Sequence, residues 1–98
     1  MPHEIVQTRR FLRQYKKLND KIAGDVDKAI FQIACKPDIG EKMKVDLSSL
    51  WVFRFRSSSQ LYLLGYSIDD PLRLIYLESV GPHENFYRDI KKINKHKV

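Results

Sequence analysis

With 98 residues, the chain has room for one domain with a single modest core and not for two. Hydrophobic residues make up 43%, which excludes a disordered chain. No apolar run approaches the ~20 residues of a membrane helix, and no charged-then-apolar leader is expected ahead of the fold. The formal charge of +6, from 18 Lys and Arg against 12 Asp and Glu, points to an anionic partner, nucleic acid or an acidic protein segment, and no membrane partner is expected. The one cysteine, Cys35, rules out an intramolecular disulfide and fits a reducing, cytoplasmic setting.

His3 to Thr8 carries the β-branched Ile5 and Val6 and reads as a short edge strand. Phe11, Leu12, Tyr15, Leu18 and Ile22 then recur at steps of three and four, a helical stripe with Arg9, Arg10, Arg13, Lys16 and Lys17 around its polar side. Asn19-Asp20 is a break and an N-cap. Val26, Ala29, Ile30, Ile33 and Ala34 form a second stripe, which ends at Lys36-Pro37-Asp38-Ile39-Gly40 because proline and glycine interrupt a helix. Two stripes with a short link predict a two-helix hairpin. Cys35, on or near the second stripe, reads as a small buried hydrophobe.

The period then changes. Lys42 to Leu47 alternates polar and apolar, and Trp51 to Arg56 does so over its last four positions, Phe53-Arg54-Phe55-Arg56. Ser57-Ser58-Ser59-Gln60 is a polar turn. Leu61 to Ile68 has the look of a central strand, Asp69-Asp70-Pro71 is a turn, and Leu72 to Val80 is a last strand that stops at Gly81-Pro82. The residues after it predict a C-terminal helix docked by Phe86, Ile90 and Ile93. The chain is therefore one α+β domain over residues 1–98: an N-terminal strand, a two-helix hairpin, an antiparallel β-meander and a C-terminal helix.

Arg54 and Arg56, two apart on a strand, project from one face, ~7 Å apart, opposite Phe53 and Phe55. Two guanidiniums so spaced can clamp phosphates; the same pattern also fits a solvated strand face. Lys42 and Lys44 repeat the alternation one strand earlier and are candidates to extend the basic face, although exposed strand lysines also discourage edge pairing. His83, at a strand-to-helix junction, can give and take protons near neutral pH, and helical spacing puts Tyr87 and Lys91 on its side. A surface histidine at a helix start and a rim tyrosine are the plain alternatives. Lys91, Lys92, Lys95, His96 and Lys97 form a basic run that is either a solvated face or a guide for RNA. Three histidines and one cysteine without ligand spacing predict no metal, and no glycine-rich phosphate loop predicts a small-molecule cofactor.

The ordered set Lys16-Lys17-Leu18, Pro37 to Gly40, Trp51 to Arg56, Leu61 to Tyr66 and Val80-Gly81-Pro82-His83-Glu84-Asn85-Phe86-Tyr87-Arg88 resembles the RelE/ParE toxin superfamily of type II toxin–antitoxin modules. The resemblance covers nearly the whole chain and implies a compact, microbial-RNase-like α+β domain. It also implies a cognate antitoxin protein as partner. In the RelE-like branch the target is mRNA on the ribosome, cut without a metal; in the ParE-like branch it is DNA gyrase. A histidine followed four positions later by an aromatic is most similar to the YafQ-type arrangement. On that likeness His83, Arg54, Arg56 and Tyr87 are the catalytic candidates, and Lys42, Lys44, Lys91 and Lys92 the RNA-binding ones. The chain departs from many relatives at Leu63, where they carry an arginine. A non-catalytic RNA-binding module is the remaining alternative.

Overall fold

The computed structural model describes residues 2–43 and 50–86. Strand β1 (Glu4–Gln7) leads into helices α1 (Arg9–Lys16) and α2 (Asp20–Cys35), a 3-10 turn (Pro37–Ile39), and strands β2 (Glu41–Lys42), β3 (Trp51–Ser57), β4 (Gln60–Asp69) and β5 (Leu74–Pro82). A C-terminal helical turn occupies residues 83–86. The five strands make one mixed sheet in the order β1-β5-β4-β3-β2. β2 to β5 are antiparallel neighbours, whereas β1 runs parallel to β5.

Capping starts both helices. The Thr8 Oγ1 accepts from Phe11 N at 3.3 Å and donates to Leu77 O at 2.7 Å, so the residue that begins α1 also ties it to β5. Asn19 Oδ1 accepts from Ile22 N at 2.9 Å and opens α2. A bond from His3 N to Ala34 O joins the first strand to the end of α2. Tyr15 Oη donates to Asp27 Oδ1 at 2.8 Å and links the two helices. That bond, aided by desolvation and the nearby charge, raises the Tyr15 pKa.

The main core lies between the helices and one face of the sheet. Phe11, Ile22, Val26, Ala29 and Ile33 meet Tyr62, Leu64, Tyr66, Ile75, Leu77 and Val80, with Trp51, Phe53 and Phe55 packed at its margin. Each fully buried large side chain there contributes on the order of 1.5–3 kcal/mol. A smaller apolar cluster, Leu50, Val52, Leu63 and Phe86, lies apart from it. Strand alternation assigns Val52 and Leu63 to the opposite face of the sheet. Phe86 thus docks the C-terminal helical turn on that second face.

Two expectations change. Cys35 is exposed: it lies two residues past the buried Ile33, about 200° farther around the helix. The last strand begins at Leu74 rather than Leu72, because residues 70–73 form a turn. There the Asp69 carboxylate accepts from Leu72 N at 3.2 Å, Arg73 N bonds to Asp70 O, and Arg73 takes a φ of 54°. The same strand runs past Gly81 to Pro82. Among the described residues no helix is long and apolar enough to cross a membrane.

Candidate nucleic-acid interface

The sheet face turned away from α1 and α2 carries the arginines. Phe53 and Phe55 lie along the main core, so alternation sends Arg54 and Arg56 to the other side, where both are exposed. Register fixes their neighbours. Arg54 faces Leu63, which faces Gly81; Arg56 faces Leu61. The β4–β5 ladder ends at the pair Tyr62–Pro82. β5 stops at Pro82, and His83 begins the helical turn that follows. Tyr62 pairs on its other side with Phe55, so His83 follows a residue that stands two strand spacings, roughly 10 Å, from the neighbour of Arg56. His83 is exposed, and among the described residues nothing lies within 4 Å of where a Cβ on Gly81 would be.

An acid shares this face. Glu41 stands opposite Val52 on the edge strand, and its Oε2 accepts from Arg54 Nη1 at 2.8 Å. Both side chains are well exposed, so the pair contributes little to stability, ~0–1 kcal/mol; it sets a negative charge against Arg54. Arg56 makes no ion pair among the described residues. Glu41 is placed by the turn before it. Tyr66 Oη donates to Pro37 O at 2.6 Å and accepts from Gly40 N at 3.0 Å. A Cβ on Gly40 would lie 2.6 Å from that hydroxyl and 2.8 Å from Val52 O, so the close approach requires glycine.

Lys42 does not extend the arginine face. It pairs with Trp51, which packs against the main core. Directly opposed residues share a face, so Lys42 lies on the helix side and Glu41 takes the expected place. Leu63 is fully buried between Val52, Leu50 and Phe86. The position where many relatives carry an arginine is here part of the apolar seat of the C-terminal helix. Tyr87, Lys44, Lys91, Lys92, Ile90 and Ile93 lie outside the described residues.

The model of the ParE-like toxin of type II bacterial toxin–antitoxin systems matches residues 5–91. The chain belongs to this toxin family. No curated protein matches the sequence. Among solved structures, the toxin–antitoxin complex RelBE2 of Mycobacterium tuberculosis superposes with a TM-score of 0.76 at 22% identity, over 85% of this chain and 100% of the other. A mutant of Escherichia coli toxin RelE in the free state gives 0.72 at 22%, over 95% and 99%. The same mutant in complex with an antitoxin RelBc peptide gives 0.70 at 21%, over 91% and 95%. These likenesses establish that the ParE-like toxin described here has the RelE fold.

Sequence reasoning missed Glu41 on the toxin's exposed face and, beneath that face, the glycine on which the expected docking residue Phe86 is seated. Glu41 was hidden because only pairing with β3 reveals which way it points. The Gly65–Phe86 packing was hidden because it joins a strand to the next element across the sheet; the lone glycine inside an apolar strand was the available signal.

Proposed function

We propose that this toxin is a ribosome-dependent mRNA endoribonuclease that blocks translation and is held inactive by a cognate antitoxin. The observation that carries the reading is the exposed His83 just past the end of β5, two strands from the exposed Arg54 and Arg56 of β3. The RelE neighbours in complex with antitoxins support the partner.

The chemistry follows from these groups. The 2′-hydroxyl of RNA attacks the adjacent phosphorus. The new 2′-O–P bond forms as the P–O5′ bond breaks, leaving a cyclic phosphate and a 5′-hydroxyl. One proton leaves the 2′-oxygen and one reaches the 5′-oxygen, and no metal is required for either transfer. His83 is assigned one of them as general acid or base. Arg56 and Arg54 stabilise the extra negative charge on the phosphorane oxygens. Tyr87 is assigned to orient the substrate by stacking or a hydrogen bond. The 2′-hydroxyl requirement selects RNA over DNA.

Primer extension on cellular mRNA after induction tests the reading. Wild-type toxin gives cuts on translated messages; His83→Ala lowers cleavage by about 10²–10⁴-fold and Arg56→Ala by about 10²–10³-fold, both with unchanged thermal unfolding. Undiminished cleavage in both variants would refute the assignment. The matching family model is described as ParE-like, which favours gyrase inhibition as a second reading. That reading expects DNA strand breaks after induction that persist in His83→Ala.

A further inference from the structure

Residues 9–17 contain Arg9, Arg10, Arg13, Lys16 and Lys17 and no acid, against a net charge of +6 for the whole chain. The first turn of α1 holds no acidic residue, so Arg9 and Arg10 stand at the positive end of the helix dipole, where cations work against the helix. None of the five makes an ion pair among the described residues. Arg13 and Lys16 suit the last turn, but Arg9 and Arg10 are kept against the stability of the helix, which an anion bound to them explains.

The helix also forms a concavity. Thr8, Arg9, Arg10, Arg13, Gln14 and Glu78 line an open cleft of about 490 Å³. Its one carboxylate, Glu78, already accepts from Ser67 Oγ at 2.8 Å. Three guanidiniums therefore face a single, engaged acid.

The direction of α1 connects the cleft to the candidate site. Thr8 Oγ1 is bonded to Leu77 O, and Gln14 Oε1 accepts from Ser79 Oγ at 3.1 Å and Val80 N at 2.8 Å. Six helical residues advance ~9 Å while three strand residues advance ~10 Å, so α1 travels beside β5 in the same direction. At that pace Lys16 and Lys17 come level with Gly81 and Pro82, next to His83.

We propose that the basic side of α1 is a rail for the phosphodiester backbone of single-stranded RNA, with the arginine cleft holding phosphates on one side of the scissile bond. The rail rests on the nuclease reading above. RNA is favoured over an acidic protein segment because every residue that lines the cleft is polar or charged. Among the described residues the large exposed apolar side chains, Phe31, Ile39 and Leu72, lie on α2, the 3-10 turn and the β4–β5 turn, and a segment that folds on binding needs such anchors.

The test is the salt dependence of binding, by fluorescence anisotropy with a labelled single-stranded oligoribonucleotide. Each phosphate contact contributes a slope of about −0.7 to log K against log salt. The variant Arg9→Gln/Arg10→Gln/Arg13→Gln flattens the slope by about 2. A control of equal charge loss on α2 and just past it, Lys21→Gln/Lys28→Gln/Lys36→Gln, keeps the wild-type slope. If the triple variant does not fold, Arg13→Gln alone flattens the slope by about 0.7. An unchanged slope, or equal flattening in the control, overturns the rail and leaves the nuclease reading intact if wild-type mRNA cleavage persists. Wild-type protein that neither binds RNA nor cleaves mRNA overturns both. Lost capture of the antitoxin with an unchanged RNA slope overturns the rail by assigning the cleft to the protein partner.

Discussion

Phe86 lies against the bare Cα of Gly65: a Cβ at that position would come within 2.8 Å of Phe86 Cζ and 3.3 Å of Leu50 Cδ1. Gly65 is in the middle of β4, at the bulge in its pairing with β5. Its missing side chain is the socket into which the first turn of the C-terminal helix is set. His83 opens that same turn, so the socket sets the orientation of the candidate proton carrier.

Gly65→Ala therefore displaces Phe86. We expect a loss of about 1–3 kcal/mol from overpacking, and Phe86→Ala to cost about 3–5 kcal/mol through the cavity it leaves. Urea midpoints measure both. If Gly65→Ala also lowers toxicity beyond its effect on folding, the socket positions His83; toxicity that follows stability alone would limit it to packing.

Glu41 restrains Arg54 by the 2.8 Å contact to its guanidinium. Glu41→Gln leaves stability within about 0.5 kcal/mol, because the pair is exposed. It strengthens RNA binding at low salt by removing a negative charge from the arginine face, and the gain fades as salt screens it. Anisotropy titrations at two ionic strengths decide this; weaker binding in the variant would mean that Glu41 aims Arg54 rather than competing for it.

Tyr66→Phe breaks both bonds of a buried hydroxyl, to Pro37 O and from Gly40 N. The expected cost is about 1–3 kcal/mol, since two backbone groups lose their partner. Burial raises the Tyr66 pKa above its ordinary 10.0, against the lowering effect of the Gly40 bond. The folded protein then keeps a proton that the unfolded chain releases, so stability falls as pH rises above about 10. That alkaline slope shrinks in Tyr66→Phe, and denaturant melts across the alkaline range detect the difference.

Ser57 Oγ donates to Asp25 Oδ2 at 2.7 Å and joins β3 to α2. This bond, with Lys21 and Lys28 nearby, holds the Asp25 carboxyl below its ordinary 3.8 despite some desolvation. The stabilisation is fully present above that value and is lost as pH falls through the lower folded-state value. Ser57→Ala accordingly destabilises most near neutral pH, and its difference from wild type narrows in acid. A pH-independent difference would remove Asp25 from the account.

Sequence alone determined the local elements and their inward faces. Asn19 was legible as a cap because its side chain bonds three residues on; Phe53 and Phe55 separated from Arg54 and Arg56 because strand alternation is set by the pleat itself. The helical stripe through Val26, Ala29 and Ile33 marked the buried face of α2 by the same kind of local geometry. Tertiary structure decided what depends on pairing. Lys42 reads as a continuation of the arginine face, but a one-residue choice of register flips every side chain of a strand, and β3 selected Glu41 instead. The parallel seat of β1 beside β5, the seating of Phe86 on Gly65, and the run of α1 toward His83 join residues far apart in the chain. Local periodicity carries no information about such contacts, because they are chosen by the packing of the whole domain.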